Sequence, residues 1–244
     1  VGAFKGNAAI TSVTLPDSVT TVDEQAFADC AALERLVCGK ALETLPESAC
    51  RGCGSLGKNI LFAGQSESFI AEENGNVIYN RDKTELILVA DGYAGAFTVP
   101  ETVTYVRAGA FRNCAGLTEV VFANPAAAIG AYAFAGCTAL TKAELPAKLA
   151  ELPEGVFAGC TALDDVSIPG SLTAIGDGAF ENCAHLPEFI VPGDCVQVGE
   201  GVFAGCSSLA KVMFLSALTA LPDRLFAGCP ALKDLQLPEG GTAI

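Results

Sequence analysis

Phenylalanine, cysteine and leucine recur in this chain on a fixed beat. Phe111, Phe134, Phe157, Phe180, Phe203 and Phe226 follow one another at intervals of 23, and so do Cys114, Cys137, Cys160, Cys183, Cys206 and Cys229. Three positions after each cysteine stands Leu117, Leu140, Leu163, Leu186, Leu209 or Leu232. Phe4, Phe27 and Cys50 extend the first column toward the N-terminus, Asn7, Cys30 and Cys53 the second, and Ile10, Leu33 and Leu56 the third. A period of this length marks a solenoid. One unit cannot bury its own apolar side, so units stack, each contacts mainly its neighbours, and a continuous core results.

The unit beginning at Phe157 continues through Cys160, Leu163, Val166, Ile168, Pro169, Leu172 and Ile175. Its Val-x-Ile step alternates with period two, as a short strand with one buried face requires. Proline then stops the strand, because it has no N–H to give to a ladder. Pro16, Pro146, Pro169, Pro192 and Pro238 share that column. The segment Ile175-Gly176-Asp177-Gly178-Ala179-Phe180 mixes turn residues with apolar plugs and predicts a short extended piece followed by a helical turn. Every unit has the same orientation, so the strands form a parallel ladder with one strand per repeat, on one face of a curved body.

The unit Ala-Phe-x-x-Cys-x-x-Leu-x-x-Val-x-Leu-Pro resembles the BspA-like class of bacterial leucine-rich repeats, with the cysteine placed before the strand. The likeness covers almost the whole chain. It implies a leucine-rich-repeat solenoid, formally of the α/β superhelix class: a β-rich, parallel curved sheet, with short helical turns or extended segments on the other face. Residues 1–244 read as a single domain of about nine repeats. The resemblance also implies an extracellular or cell-surface location. Both ends fall inside a repeat, which predicts that the chain is a piece of a longer surface protein.

One irregularity interrupts the beat. The step from Cys50, in the phenylalanine column, to Phe111 is 61, which exceeds one period by 38. Two β-prone runs within Glu73–Val89, separated by Asn80-Arg81-Asp82-Lys83, carry a hairpin signature. A β-hairpin-like insertion at about 63–98 is therefore expected, either as a structural elaboration or as a projecting element that contributes to binding.

The eleven cysteines all fall on core columns, which predicts inward-pointing free thiols. Disulfides between neighbouring rungs and a bound metal are the alternatives, but only Cys50 and Cys53 form a Cys-x-x-Cys, and the repeat explains both. The sole histidine, His185, reads as a bystander on a turn. No histidine pair, Gly-x-Ser-x-Gly or phosphate-binding glycine loop is present, so no catalytic residue, cofactor or metal ligand is assigned. An incidental calcium site in 72–76 is the weaker possibility.

Twenty-eight acidic against fourteen basic residues give a net charge of −14, which repels a nucleic-acid backbone and an anionic membrane. No apolar run is long enough to span a bilayer. Function is thus expected on the side chains that flank the inward column of each strand. The candidate binding face comprises Arg35, Glu119, Val121, Lys142, Glu144, Asp165, Glu188, Ile190, Lys211, Met213, Asp234 and Gln236, with Ser12, Thr14, Val37 and Ser167 in the same two columns. A protein or cell-surface ligand is the expected partner, for a non-enzymatic adhesion module, with a monomer favoured. The alternatives are a spacer or carbohydrate-capturing segment of a larger secreted protein, or an intracellular scaffold.

Overall fold

The computed structural model describes the chain except for residues 57–59, 63–65, 73–75, 217, 219 and 239–244. It is a β-solenoid of about nine coils of roughly 23 residues, with parallel sheets and almost no helix. One face carries β1 (Ser12–Thr14), β2 (Arg35–Cys38) and β3 (Ile60–Phe62). After the strands β4 (Phe69–Glu72), β5 (Val77–Asn80) and β6 (Glu85–Val89), the same face continues with β7 (Ala94–Val99), β9 (Gly116–Phe122), β11 (Lys142–Glu144), β13 (Asp165–Ser167), β15 (Glu188–Val191), β17 (Lys211–Phe214) and β18 (Asp234–Gln236). Pairing falls at the repeat offset: Ser12 lies beside Arg35, Lys142 beside Asp165 and Glu188 beside Lys211.

The extended piece expected after the proline is a second, shorter ladder. It runs in two sheets, one with β8 (Tyr105–Val106) and β10 (Ala128–Ile129) and the other with β12 (Glu151–Leu152), β14 (Ala174–Ile175) and β16 (Gln197–Val198), and β10 does not pair with β12. Helix is confined, among the described residues, to one 3-10 turn at Glu47–Cys50. The reason is visible at Phe157, whose N–H donates to Ala179 O of the next coil at 2.8 Å and not along its own turn. Local bonds alternate with sideways ones at that corner: Ala158 N–H donates to Gly155 O and Cys160 N–H to Phe157 O, both at 3.0 Å, while Gly159, left-handed with φ +75°, donates to Glu181 O of the next coil at 2.7 Å. A helix cannot propagate when its N–H groups bond sideways.

Two of the core columns link coil to coil directly. The phenylalanine rings stack coil upon coil, with centroids 5.4 Å apart at Phe134–Phe157, 5.5 Å at Phe157–Phe180 and 5.8 Å at Phe203–Phe226. The ladder thiols other than Cys114 donate to the phenylalanine carbonyl of the preceding coil, as in Cys160 Sγ to Phe134 O at 3.1 Å, Cys183 to Phe157 O at 3.2 Å and Cys206 to Phe180 O at 3.1 Å. That carbonyl also accepts the N–H of its own turn's cysteine, so both of its lone pairs are used inside the body.

One of two left-handed columns contains Gly6, Asp29, Gly52, Asn113, Gly136, Gly159, Asn182, Gly205 and Gly228. Wherever it carries a side chain, the next coil carries glycine. A Cβ at Gly136 would lie 2.4 Å from Asn113 Oδ1, and one at Gly205 would lie 2.2 Å from Asn182 Oδ1. The acid or amide leans over the coil that follows and occupies the space a Cβ there would need.

The interval from Cys50 to Phe111 holds two coils. Val89 N–H donates to Ala110 O at 2.7 Å, the bond that Phe27 makes to Ala49 and Phe111 to Ala133. Cys114 Sγ likewise points at Val89 O and Ala90 O, at 3.6 and 3.5 Å. Val89 therefore stands in the phenylalanine column, one position short of a full period before Phe111. This shortened coil is accommodated by a bulge at Gly95 and Ala96, where Gly95 takes φ +103°. Ahead of it, β4, β5 and β6 pair antiparallel, and β6 joins β8 in the second ladder. Val77, Ile78, Leu86 and Ile87 are fully buried, so both faces of this meander are covered. Ala94–Val99 lies beyond the meander, in the parallel sheet against β9.

Candidate binding face

Arg35, Asp165, Glu188, Ile190, Asp234 and Gln236 are exposed, while Glu119, Val121, Lys142, Glu144, Lys211 and Met213 are half-buried by their neighbours along the ladder. Val37 differs from expectation. It is 9% exposed, because Leu61 of β3 lies beside it in register and turns that end of the column apolar.

In a parallel ladder, equivalent residues of successive coils sit side by side, so a column of one charge sign would repel itself. Here the signs alternate as Glu119–Lys142–Asp165 and again as Glu188–Lys211–Asp234. Lys142 Nζ lies 3.2 Å from Glu119 and also bonds Glu144, and the bonds to Glu144 and Glu119 hold its ammonium above the usual lysine range. Lys211 reaches Asp234 at 4.0 Å. Exposed pairs of this kind add little to stability. Their consequence is that both lysines of the stripe already face carboxylates.

The sheet is interrupted once where the repeat is regular. β13 pairs with β11, and β15 with β17, but β13 and β15 do not pair. The cause is Pro187. In the preceding coil Asp164 N–H donates to Thr141 O at 3.1 Å, and in the coil before that Thr141 N–H donates to Thr118 O at 2.9 Å. At the same place Pro187 has no N–H to give to Asp164 O. A groove of about 450 Å³ opens along this break. Val166, Ile168, Ile190 and Leu215 form its apolar wall, with Asp164, Asp165 and Glu188 at its edges. Of these, only Asp165, Glu188 and Ile190 belong to the expected face. Leu215 carried a signal in the sequence, since it stands where other repeats have proline; Pro187, in a column of Thr, Asp, Ala and Lys, carried another.

The thiols are placed for structure. All eleven cysteines are free; ten are buried and Cys229 is half-buried. Burial pushes the thiols of Cys38, Cys53 and Cys206 up to about 12 and that of Cys195 to about 11, far from the thiolate form that reacts with disulfides or binds metals. His185 is exposed on its turn, with its N–H donating to Thr161 O. Of the acidic stretch 72–76, residues 73–75 lie outside the described residues, and Glu72 is paired with Lys83. Among the described residues no group of three or more His, Cys, Asp or Glu side chains is placed to hold a metal ion, and no helix is long and apolar enough to cross a membrane.

Compared with known families, the chain matches the model described as BspA type leucine rich repeat region, in six copies over residues 1–72, 94–209 and 174–244. Among solved structures it is similar to a leucine-rich repeat protein of T. pallidum, at 28% identity and TM-score 0.58, over 72% of this chain and 81% of that one. It is also similar to a leucine-rich cell surface protein of Faecalibacterium prausnitzii, at 25% identity and TM-score 0.69, over 98% of this chain and 62% of that one. The pneumococcal vaccine antigen PcpA shares the fold at 22% identity and TM-score 0.64, over 93% of this chain and 56% of that one. The chain thus spans less than two thirds of the latter two. No curated protein matches it.

Proposed function

Because the chain belongs to the BspA-type leucine-rich repeat family, we propose that it is a non-enzymatic binding module of the bacterial cell surface, which takes a protein ligand on the outward face of its first ladder. One observation carries this reading. The two flanking columns from Glu119 to Gln236 set side chains of changing charge and polarity in register along one side of the body, while the core columns repeat almost without change. A scaffold that holds its interior constant and varies one face is built to present that face. The likeness to a cell surface protein at 25% identity supports the location.

The test is to coat beads with the full chain and challenge them with epithelial cells, an array of extracellular-matrix and serum proteins, and a glycan array. The expected result is saturable capture of cells or a protein, lost in Val121→Gln/Met213→Gln with the unfolding midpoint unchanged. Capture that survives this variant, or that is confined to glycans, would refute the assignment.

A further inference from the structure

The break in the ladder at Pro187 coincides with two other departures from the repeat. The first is apolar exposure. Ile190 is 49% exposed and Leu215 56%, the two sharing one groove with Val166 and Ile168. Leu215 stands where Pro169, Pro192 and Pro238 end their strands, so it is not an accident of core packing. The second is uncompensated charge. The lysines of the stripe are drawn to Glu119, Glu144 and Asp234, and Asp164, Asp165 and Glu188 make no ion pair among the described residues. The groove therefore has an apolar floor with three carboxylates at its rim, beside strand edges whose ladder bonds are not made.

We propose that this groove receives an extended segment of a partner protein in which an aliphatic side chain is flanked by lysine or arginine. The aliphatic group covers Ile190 and Leu215, and the basic groups meet Asp164, Asp165 and Glu188. Charge complementarity selects this occupant: a chain with a net charge of −14 repels acidic segments and further copies of itself at an acidic rim. An extended backbone suits the site because Asp164 O, left without the N–H that Pro187 lacks, can accept from a strand. The inference rests on the binding-face reading above and assigns it a place and a ligand class.

The probe is a fluorescent peptide, acetyl-Gly-Lys-Leu-Arg-Leu-Gly-amide, titrated into the full chain at low and high salt, with amide chemical shifts as the map. Saturable binding is expected, weakened by salt, with shifts centred on residues 164–168, 188–190 and 215. Ile190→Ser/Leu215→Ser should weaken it roughly tenfold or more, and Asp165→Asn/Glu188→Gln about tenfold. Pro187→Thr restores an N–H that can reach Asp164 O, and should lower affinity while every rim and wall side chain is retained. The same peptide with glutamate for its basic residues should not bind. Equal binding of that acidic peptide, an affinity unchanged by either pair of substitutions or by Pro187→Thr, or displacement of the probe by self-association of the chain would each overturn the proposal. Protein capture by the beads with no peptide binding would sink the groove and leave the face reading intact.

Discussion

Truncating one ring in the middle of the stack should cost far more than truncating one at its end. Phe157 is fully buried and lies between Phe134 and Phe180, with centroids 5.4 and 5.5 Å away. Phe157→Ala removes a fully buried aromatic, a change of about 3–5 kcal/mol. Of that, the two stacked partners account for roughly 0.5–1.5 kcal/mol each. Phe226 is half-buried and stacks on Phe203 alone, at 5.8 Å, so Phe226→Ala should cost about half as much, roughly 2 kcal/mol. In a quasi-one-dimensional array coupling runs only between neighbours, so the central loss also separates the coils before Phe157 from those after it. Urea unfolding followed by circular dichroism should therefore show a single transition for Phe226→Ala and a broadened or split one for Phe157→Ala. Hydrogen exchange should then show one set of coils opening ahead of the other. If the two substitutions cost the same, or the central one leaves a single sharp transition, the ring stack is not what couples the coils.

The left-handed column at Gly136 gives a second test, by double-mutant cycle. Gly159→Ala meets only the cost of a left-handed alanine, about 1 kcal/mol, since its new Cβ would lie 3.7 Å from Gly136. Gly136→Ala must also displace Asn113 Oδ1 from 2.4 Å, adding about 1 kcal/mol for an off-rotamer side chain; Asn113→Gly should remove this extra cost, and chemical denaturation showing no coupling between the two sites would refute the leaning-amide account. A third test concerns Asp91, whose carboxyl is pushed up from 3.8 to about 6 by burial, against the opposing Gly52 N–H bond and the Arg51 charge. A folded-state value above the unfolded one means that ionisation opposes folding, so the contribution is present below about 4 and lost as pH rises through about 6, by up to roughly 3 kcal/mol. Asp91→Asn should accordingly stabilise the protein at pH 8 and change little at pH 4, as read from unfolding midpoints; equal effects at both values would remove Asp91 as the cause.

The recurring columns of Phe, Cys and Leu state which side chains point inward, because periodicity within a unit and the need to bury one side leave no other arrangement. The parallel ladder and the inward cysteines are readable at this level. The outward columns are legible too, since strand alternation places Lys142 and Glu144 opposite Ala143 whatever the neighbours do. Val37 shows where that logic stops: its alternation is correct, yet Leu61 in the next strand covers it.

What the tertiary structure alone decided lies between coils. Val89 carries no phenylalanine, so nothing in its local sequence says that it fills that column; its bond to Ala110 says so. The antiparallel meander before it is packed into the body because β6 takes a place in the second ladder. The glycine and amide alternation from Asn113 to Gly228 reflects contact between coils one period apart, and a residue-by-residue reading sees only turn formers. The groove arises in the same way, from one missing N–H at Pro187 whose partner is Asp164 in the previous coil. The sequence by itself determined which face each residue takes, because that depends on local geometry repeated along the chain. The tertiary structure decided which coils join and which stand apart, because hydrogen bonds between coils depend on residues that are distant in the chain and adjacent in space.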